Sequence, residues 1–421
     1  MKLTKFNKGQ SLNRLDGNKN NKKTKHFSVI ISVGILILAI IYFSFARFES
    51  IKSYSLIKGT VGNFGNNLAD FFFNLNSSDL QYDGVGTLGE NGTPDNNLRY
   101  IGSNPNNYIY FNCETDNPSE MSNETCEKWR VVGVFNNVED SYGKKASRVK
   151  IVSDYSYEYD SWDISDSSIN SGKGINQWGE STYQDGTPYD GSLAKKILNE
   201  DFLTIPQKEN TNLASNKKIL PSFMSEASGE IILDSPYLNE RGQSMIQEIK
   251  WNTGAMPLLS EENINNNNYD IYKVKNIYLS ERSDTTGKMC EEDEYCNDTV
   301  IRTTTWIGKV ALLYASDAGY SIADNVNTTK EECLNTPWTN WPTDGASCTQ
   351  ESWLHYYYSG WSLTPYASSS SASTIQTIQM YDNTNEYASE RLYLYPTLYL
   401  KTNLQIVGGD GTTQHPFILT K

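Results

Sequence analysis

Residues 27–46, FSVIISVGILILAIIYFSFA, form an uncharged apolar run of 20 residues. At about 1.5 Å of rise per residue, a helix of that length is roughly 30 Å long, the thickness of a bilayer's hydrocarbon core. Inside that core the backbone has no water to bond, so a helix that satisfies its own N–H and C=O groups is the state the run favours. The segment ahead of it carries Lys2, Lys5, Lys8, Arg14, Lys19, Lys22, Lys23 and Lys25 against the single acid Asp16. A basic flank of this kind stays in the cytoplasm and sends the C-terminal part outward. A cleaved signal peptide is the rival reading, but its apolar core would be shorter, about 7–15 residues. The sequence therefore predicts a single-pass cell-membrane protein with a cytoplasmic N-terminus and an extracellular C-terminal domain.

Charge and cysteine usage agree with that topology. The whole chain carries −14, and the part beyond the basic tail carries −21. So acidic an outer part argues against nucleic acid as a partner, because phosphate binding relies on Lys and Arg. All six cysteines lie beyond the apolar run. An even number outside the cytoplasm reads as disulfides. They fall into three local couples, Cys113–Cys126, Cys290–Cys296 and Cys333–Cys348. A zinc site is the weaker alternative, since there is no CxxC and only His355 and His415 lie beyond the run. No metal and no cofactor are expected.

The chain divides into a basic tail (1–26), the membrane helix (27–46), a stalk or linker (47–95) and an outer α+β domain (96–421). Within the stalk, the apolar patch Leu68–Leu75 reads as a short helix lying on the membrane or packing on the domain. The domain is richer in strand than in helix. Leu98–Asn112 holds two short strands around Asn104 and Pro105. Lys128–Phe135 and Ser147–Ser153 follow, joined by a turn containing Gly143, as in an antiparallel meander. Their alternation is imperfect, which suits strands covered on both faces. Helices are predicted at Ser192–Leu203, capped by Ser192, and at Ser235–Trp251, with Leu238, Met245, Ile246 and Ile249 as its buried stripe and Gly254 as its stop. Strands return at Thr305–Tyr314, Ile375–Tyr381, Arg391–Leu400, Leu404–Val407 and Phe417–Leu419.

Residues that signal chemistry are few. There is no Gly-x-Ser-x-Gly, no His-Glu-x-x-His and no phosphate-binding glycine loop. The acidic loop Cys290–Cys296 has four carboxylates but lacks the spacing and turn glycine of an EF-hand. The densest cluster is aromatic: Trp338, Trp341, Trp353, Tyr356, Tyr357, Tyr358, Trp361 and Tyr366. Such rings form either a small core beneath a long loop or a surface for a glycan or protein ligand. The ligand-binding candidates are Trp338, Trp341, Trp353, Tyr357 and Trp361. That reading expects Trp353→Ala or Trp361→Ala to weaken adhesion without unfolding the domain.

The stretches Asp95–Tyr108, Phe111–Cys113 and Glu127–Val134 resemble a group of membrane-anchored surface proteins of low-GC bacteria that carry no known activity. Further points of similarity are Lys250–Gly254, Gly308–Tyr320, Trp361–Pro365 and Tyr395–Lys401 running into Gly409–Gly411. The order of a Trp-Arg-Val strand, helices, a Trp-rich loop and a closing strand is also similar to C-type lectin-like or formylglycine-generating-enzyme-like domains. That similarity implies a binding fold and carries over no catalytic residue. The resulting expectation is a non-enzymatic surface protein that binds glycan or protein. The alternatives are an envelope hydrolase with a carboxylate pair, or a purely structural surface component.

Overall fold

The computed structural model describes residues 67–84, 95–164, 174–183, 185–203, 238–256, 269–283, 300–324, 329–341, 346–354, 360–366, 374–378 and 385–421. Among these residues no helix is long and apolar enough to cross a membrane. The predicted anchor, the Cys290–Cys296 couple and Tyr357 lie outside the described residues.

The domain is α+β and strand-rich, as expected, built on a ten-stranded mixed sheet. Its central pair is the hairpin Glu127–Glu139 with Lys145–Ser153. From this pair the sheet runs one way through Thr397–Leu400 to Val310–Ala311. The other way it runs through Tyr108–Phe111 and Phe417–Thr420 to Gln405–Gly408. The contact between Phe417–Thr420 and Tyr108–Phe111 is parallel. The hairpin's centre is buried on both faces, with Val131, Val132, Val134, Val149, Ile151 and Val152 all in the core. This is why its alternation is imperfect: a strand covered on both sides has no polar face to alternate with.

A second, five-stranded sheet joins Glu158–Ser161, Arg391–Leu394, Gly360–Tyr366, Thr374–Ile378 and Asn385–Tyr387. Disulfides join Cys113 to Cys126 and Cys333 to Cys348, two of the three predicted couples.

Three segments add to the sequence expectation or depart from it. Residues 67–84, within the expected stalk, pack into the domain, which is the second of the two readings of the Leu68–Leu75 patch. Helix Leu68–Phe73 buries Phe71 and Phe72 against Phe417, with ring centres 5.6 Å apart in each case. Strand Leu80–Tyr82 pairs with Leu98–Tyr100.

The long helix predicted over Ser235–Trp251 is a short helix, Glu240–Met245, capped by Asn239. It is followed by strands Ile246–Gln247 and Ile249–Asn252. The stripe Leu238, Met245, Ile246 and Ile249 is buried as expected. From Ile249 onward, however, the apolar residues recur every second position, with Ile249 and Trp251 inward and Lys250 and Asn252 outward. Pairing with Thr305–Gly308 then satisfies the backbone as a strand. Gly254 is not a helix stop. It lets the chain pass the end of another helix, where an added Cβ would lie 2.4 Å from the Ser280 carbonyl oxygen.

Helix Val274–Glu281 is an element without an expectation from the sequence. Val274, Ile277, Tyr278 and Glu281 are its buried face, at the i, i+3, i+4, i+7 spacing of an amphipathic helix.

Candidate functional site

The four tryptophans named from the sequence are all interior. Trp338, Trp341 and Trp353 are fully buried, and Trp361 is 2% exposed. Trp338 and Trp341 pack on each other at 4.8 Å beside the Cys333–Cys348 bridge. Three indole N–H groups donate to backbone carbonyls: Trp341 to Cys333, Trp353 to Tyr100 and Trp361 to Asp160. An indole whose ring is enclosed and whose N–H is bonded inside the protein offers a ligand neither face nor donor.

The polar chemistry lies elsewhere, on the sheet beneath helices Val274–Glu281 and Ala315–Tyr320. Arg99 comes from strand Leu98–Tyr100, Lys150 from Lys145–Ser153, and Asp317 from the first turn of helix Ala315–Tyr320. Arg99 Nε donates to Asp83 Oδ2 at 2.9 Å and its Nη1 donates to Asp317 Oδ1 at 3.0 Å. Lys150 Nζ donates to Asp317 Oδ2, which also accepts from the Tyr314 backbone N–H at 3.0 Å. None of these side chains reaches water.

Burial works against all of the buried charges, and their partners decide the outcome. Asp317 is held below the usual carboxylate range because Lys150 and Arg99 outweigh its desolvation. Lys150 is pushed down to about 8, because desolvation outweighs Asp317 and the nearby Arg282 and Arg99 add repulsion. Glu281 is raised by desolvation, although Arg282, Ser316 and Thr364 all favour its charge.

Above this layer opens a cleft of about 270 Å³. One wall is the end of the central hairpin, from Phe135 to Glu139 with Lys145, where a bulge between Phe135 and Val138 turns the strand. A second wall is Ile249, Lys250 and Asn252 from the neighbouring strand. Asp95, Asn97, Tyr278, Arg282, Tyr314 and Tyr399 complete it.

The guanidinium carbon of Arg282 lies 3.4 Å from the Tyr278 ring centre. Arg282 Nη1 donates to Glu281 Oε2 at 3.0 Å, and Nε lies 3.9 Å from Asp95 Oδ2. Tyr278 donates its hydroxyl to the same Asp95 oxygen, and its phenol is raised by burial. Lys250 and Glu139 pair at 3.5 Å across the rim. The walls thus combine three cations, two carboxylates, four side-chain amides and three tyrosines. Part of this set is bonded inside the protein, since Tyr278 donates to Asp95, Tyr314 to the Asn252 carbonyl and Asn97 to Asp83. The exposed or half-buried Asn137, Glu139, Lys145, Lys250 and Arg282 are the groups a hydroxyl-rich ligand would meet.

None of these cleft residues was singled out from the sequence as a binding residue, although Asp95, Lys250, Asn252, Tyr314 and Tyr399 fall in the stretches that carry the resemblance and Ile249 in the predicted apolar stripe. The spacing of Val274, Ile277, Tyr278 and Glu281 is the one local signal that points to it.

A wider cleft of about 710 Å³ lies by helix Lys330–Asn335, lined by Gln81, Tyr82, Lys275, Asp324, Lys330 and Asn335 among others. Among the described residues no group of His, Cys, Asp and Glu is arranged to hold a metal ion. No family model matches the chain, and comparison with curated proteins and with solved structures finds no significant match.

Proposed function

We propose that this chain is a single-pass, membrane-anchored surface protein whose outer domain binds a small glycan unit in the 270 Å³ cleft, without catalysis. The apolar run 27–46 and the basic tail before it support the anchor and its orientation. The observation that carries the binding reading is the composition of the cleft. Its three cations, two carboxylates, four amides and three tyrosines line a space just under the range typical of drug-sized ligand sites, about 300–1,000 Å³. A space of that size suits one or two sugar rings. The site stands on strands and helix ends, so its geometry is fixed before a ligand arrives.

The test is a glycan array probed with the full chain, followed by titration of the glycans retained. Asn137 and Lys250 stand at the cleft rim, exposed and half-buried respectively, so changing them leaves the core intact. Asn137→Gly, which keeps the left-handed backbone found there (φ 58°), and Lys250→Ala are expected to weaken binding about tenfold each, the effect of losing roughly 1.4 kcal/mol of contact, with unchanged thermal unfolding. Binding that both variants leave untouched, or no retained glycan at all, removes this reading.

A further inference from the structure

We propose that Lys150 and Asp317 become covalently joined after folding, by an isopeptide bond between Lys150 Nζ and Asp317 Cγ. The two residues are 167 positions apart, and the fold brings Nζ directly onto Oδ2. Both side chains are completely inaccessible to water. The amine is enclosed by Tyr314, Phe135, Tyr399 and Trp251, whose ring centres lie 4.5, 5.0, 5.6 and 5.7 Å away.

Each part of the reaction has a residue to serve it. The nucleophile is a neutral amine, and the dry aromatic enclosure favours that form. Burial accordingly pushes Lys150 down to about 8, against the pull of Asp317. The electrophile is the Asp317 carboxyl carbon in its neutral acid form, reached when the Lys150 ammonium passes a proton along its hydrogen bond to Oδ2 and leaves a neutral amine beside a neutral acid. As Nζ adds to it, negative charge collects on Oδ1, the oxygen that Arg99 Nη1 already holds at 3.0 Å. A fixed cation aimed at developing charge in a water-free site is an effective stabiliser of such an intermediate. Arg99 is itself positioned by Asp83, at 2.9 Å, and by the rings of Phe135 and Tyr320. The departing oxygen is Oδ2, and the Tyr314 N–H that donates to it helps it leave.

The step balances without any further reagent. An ammonium and a carboxylate hold between them one amide and one water. The Nζ–Cγ bond forms and the Cγ–Oδ2 bond breaks, and Oδ2 departs with two of the three ammonium hydrogens. Condensation of this kind is unfavourable between free groups in water. Held contact lowers the barrier, because well-oriented intramolecular reactions reach effective molarities on the order of 10⁵–10⁸ M, and a site closed to solvent keeps water from hydrolysing the bond once the released molecule has left. After the bond forms, Arg99 keeps Asp83 and Arg282 keeps Glu281. No buried charge is left unmatched. The product ties the central hairpin to helix Ala315–Tyr320 through a link that reducing agents do not open, unlike the two disulfides.

The experiment is intact-mass measurement of the full chain after reduction and alkylation, with peptide mapping of a digest. The expected result is a mass one water below that of the linear sequence. The map should contain one branched peptide joining the segments that hold Lys150 and Asp317. Lys150→Arg should show the full linear mass and no branched peptide. Wild-type protein at the full linear mass, with Lys150 and Asp317 in separate unbranched peptides, overturns the proposal. So does a lost water located at any other pair of residues. The decisive reading is on the wild-type chain, so misfolding of the variant does not affect it.

Discussion

The guanidinium of Arg130 lies 4.3 Å from the centre of the Trp353 ring, with the Tyr108 ring 4.4 Å from it as well. Arg130 Nε donates to Asn107 Oδ1 at 2.8 Å, and Trp353 Nε1 donates to the Tyr100 carbonyl at 3.0 Å. Trp353 is therefore a fully enclosed ring on which a buried cation is seated. Trp353→Ala removes that seat, the Tyr100 hydrogen bond and a large packed volume. It should cost about 3–5 kcal/mol, and Trp361→Ala a comparable amount. Urea unfolding measures this directly. A variant that unfolds at the wild-type midpoint yet loses ligand binding would restore the aromatic cluster as a binding surface.

The Cys333–Cys348 bridge should stabilise the domain in proportion to the loop it closes. It links helix Lys330–Asn335 to helix Ala346–Gln350 across 15 positions. Constraining a loop of that length in the unfolded chain is worth about 3 kcal/mol. Replacing both cysteines with alanine should lower the unfolding free energy by that amount. The Trp338–Trp341 pair lies between the two cysteines in sequence and depends on the enclosure, so its fluorescence should shift toward that of solvated indole. An unchanged spectrum and midpoint would mean that packing alone holds this segment.

Gly133 should tolerate no side chain. It sits on strand Glu127–Glu139 opposite Arg99, at a register shift, and an added Cβ would lie 2.2 Å from the Leu98 carbonyl oxygen. That oxygen is backbone within the sheet and has little room to move away. Gly133→Ala should cost about 1–3 kcal/mol as overpacking. It should also perturb Arg99, which sits on the same small strand, Leu98–Tyr100. Thermal unfolding of the variant tests this, and a wild-type melting temperature would show that the small strand slides away freely.

The central hairpin was legible in the sequence because its signals are local. Val131 and Val134 pair with Ile151 and Val149 across a turn that needs Gly143 in a left-handed conformation. Cysteine spacing was equally local, and both couples among the described residues form as read. The buried charges were not legible. Asp83, Arg99, Lys150 and Asp317 come from four separate segments, and each alone reads as a solvated surface charge. Only the fold reveals that they share one dry site. The tryptophans fail for a different reason. Ring density between Trp338 and Trp361 is compatible with a core, the commoner arrangement, and with a ligand surface, and burial, which separates the two, is a tertiary property.

Lys330 gives the domain a specific pH response. Its side chain is nearly buried, with Nζ donating to Gln81 Oε1 at 3.0 Å. Burial, reinforced by Arg99 and only partly offset by Asp83 and Asp324, pushes it down to about 8. An exposed lysine in the unfolded chain titrates near 10.4. Between these two values the unfolded state holds a proton that the folded state has released, so stability rises with pH across that window. Below about 8 both states are protonated, and the full cost of burying the ammonium is present. On raising the pH from 7 to 9.5, wild-type protein should therefore gain about 2 kcal/mol of unfolding free energy relative to Lys330→Met. The methionine variant keeps the apolar stem and has nothing to titrate, while the other ionisable groups are common to both chains. Denaturant titrations at the two pH values give the difference directly, and parallel behaviour of the two proteins would mean that Lys330 holds its proton in the fold as readily as in water.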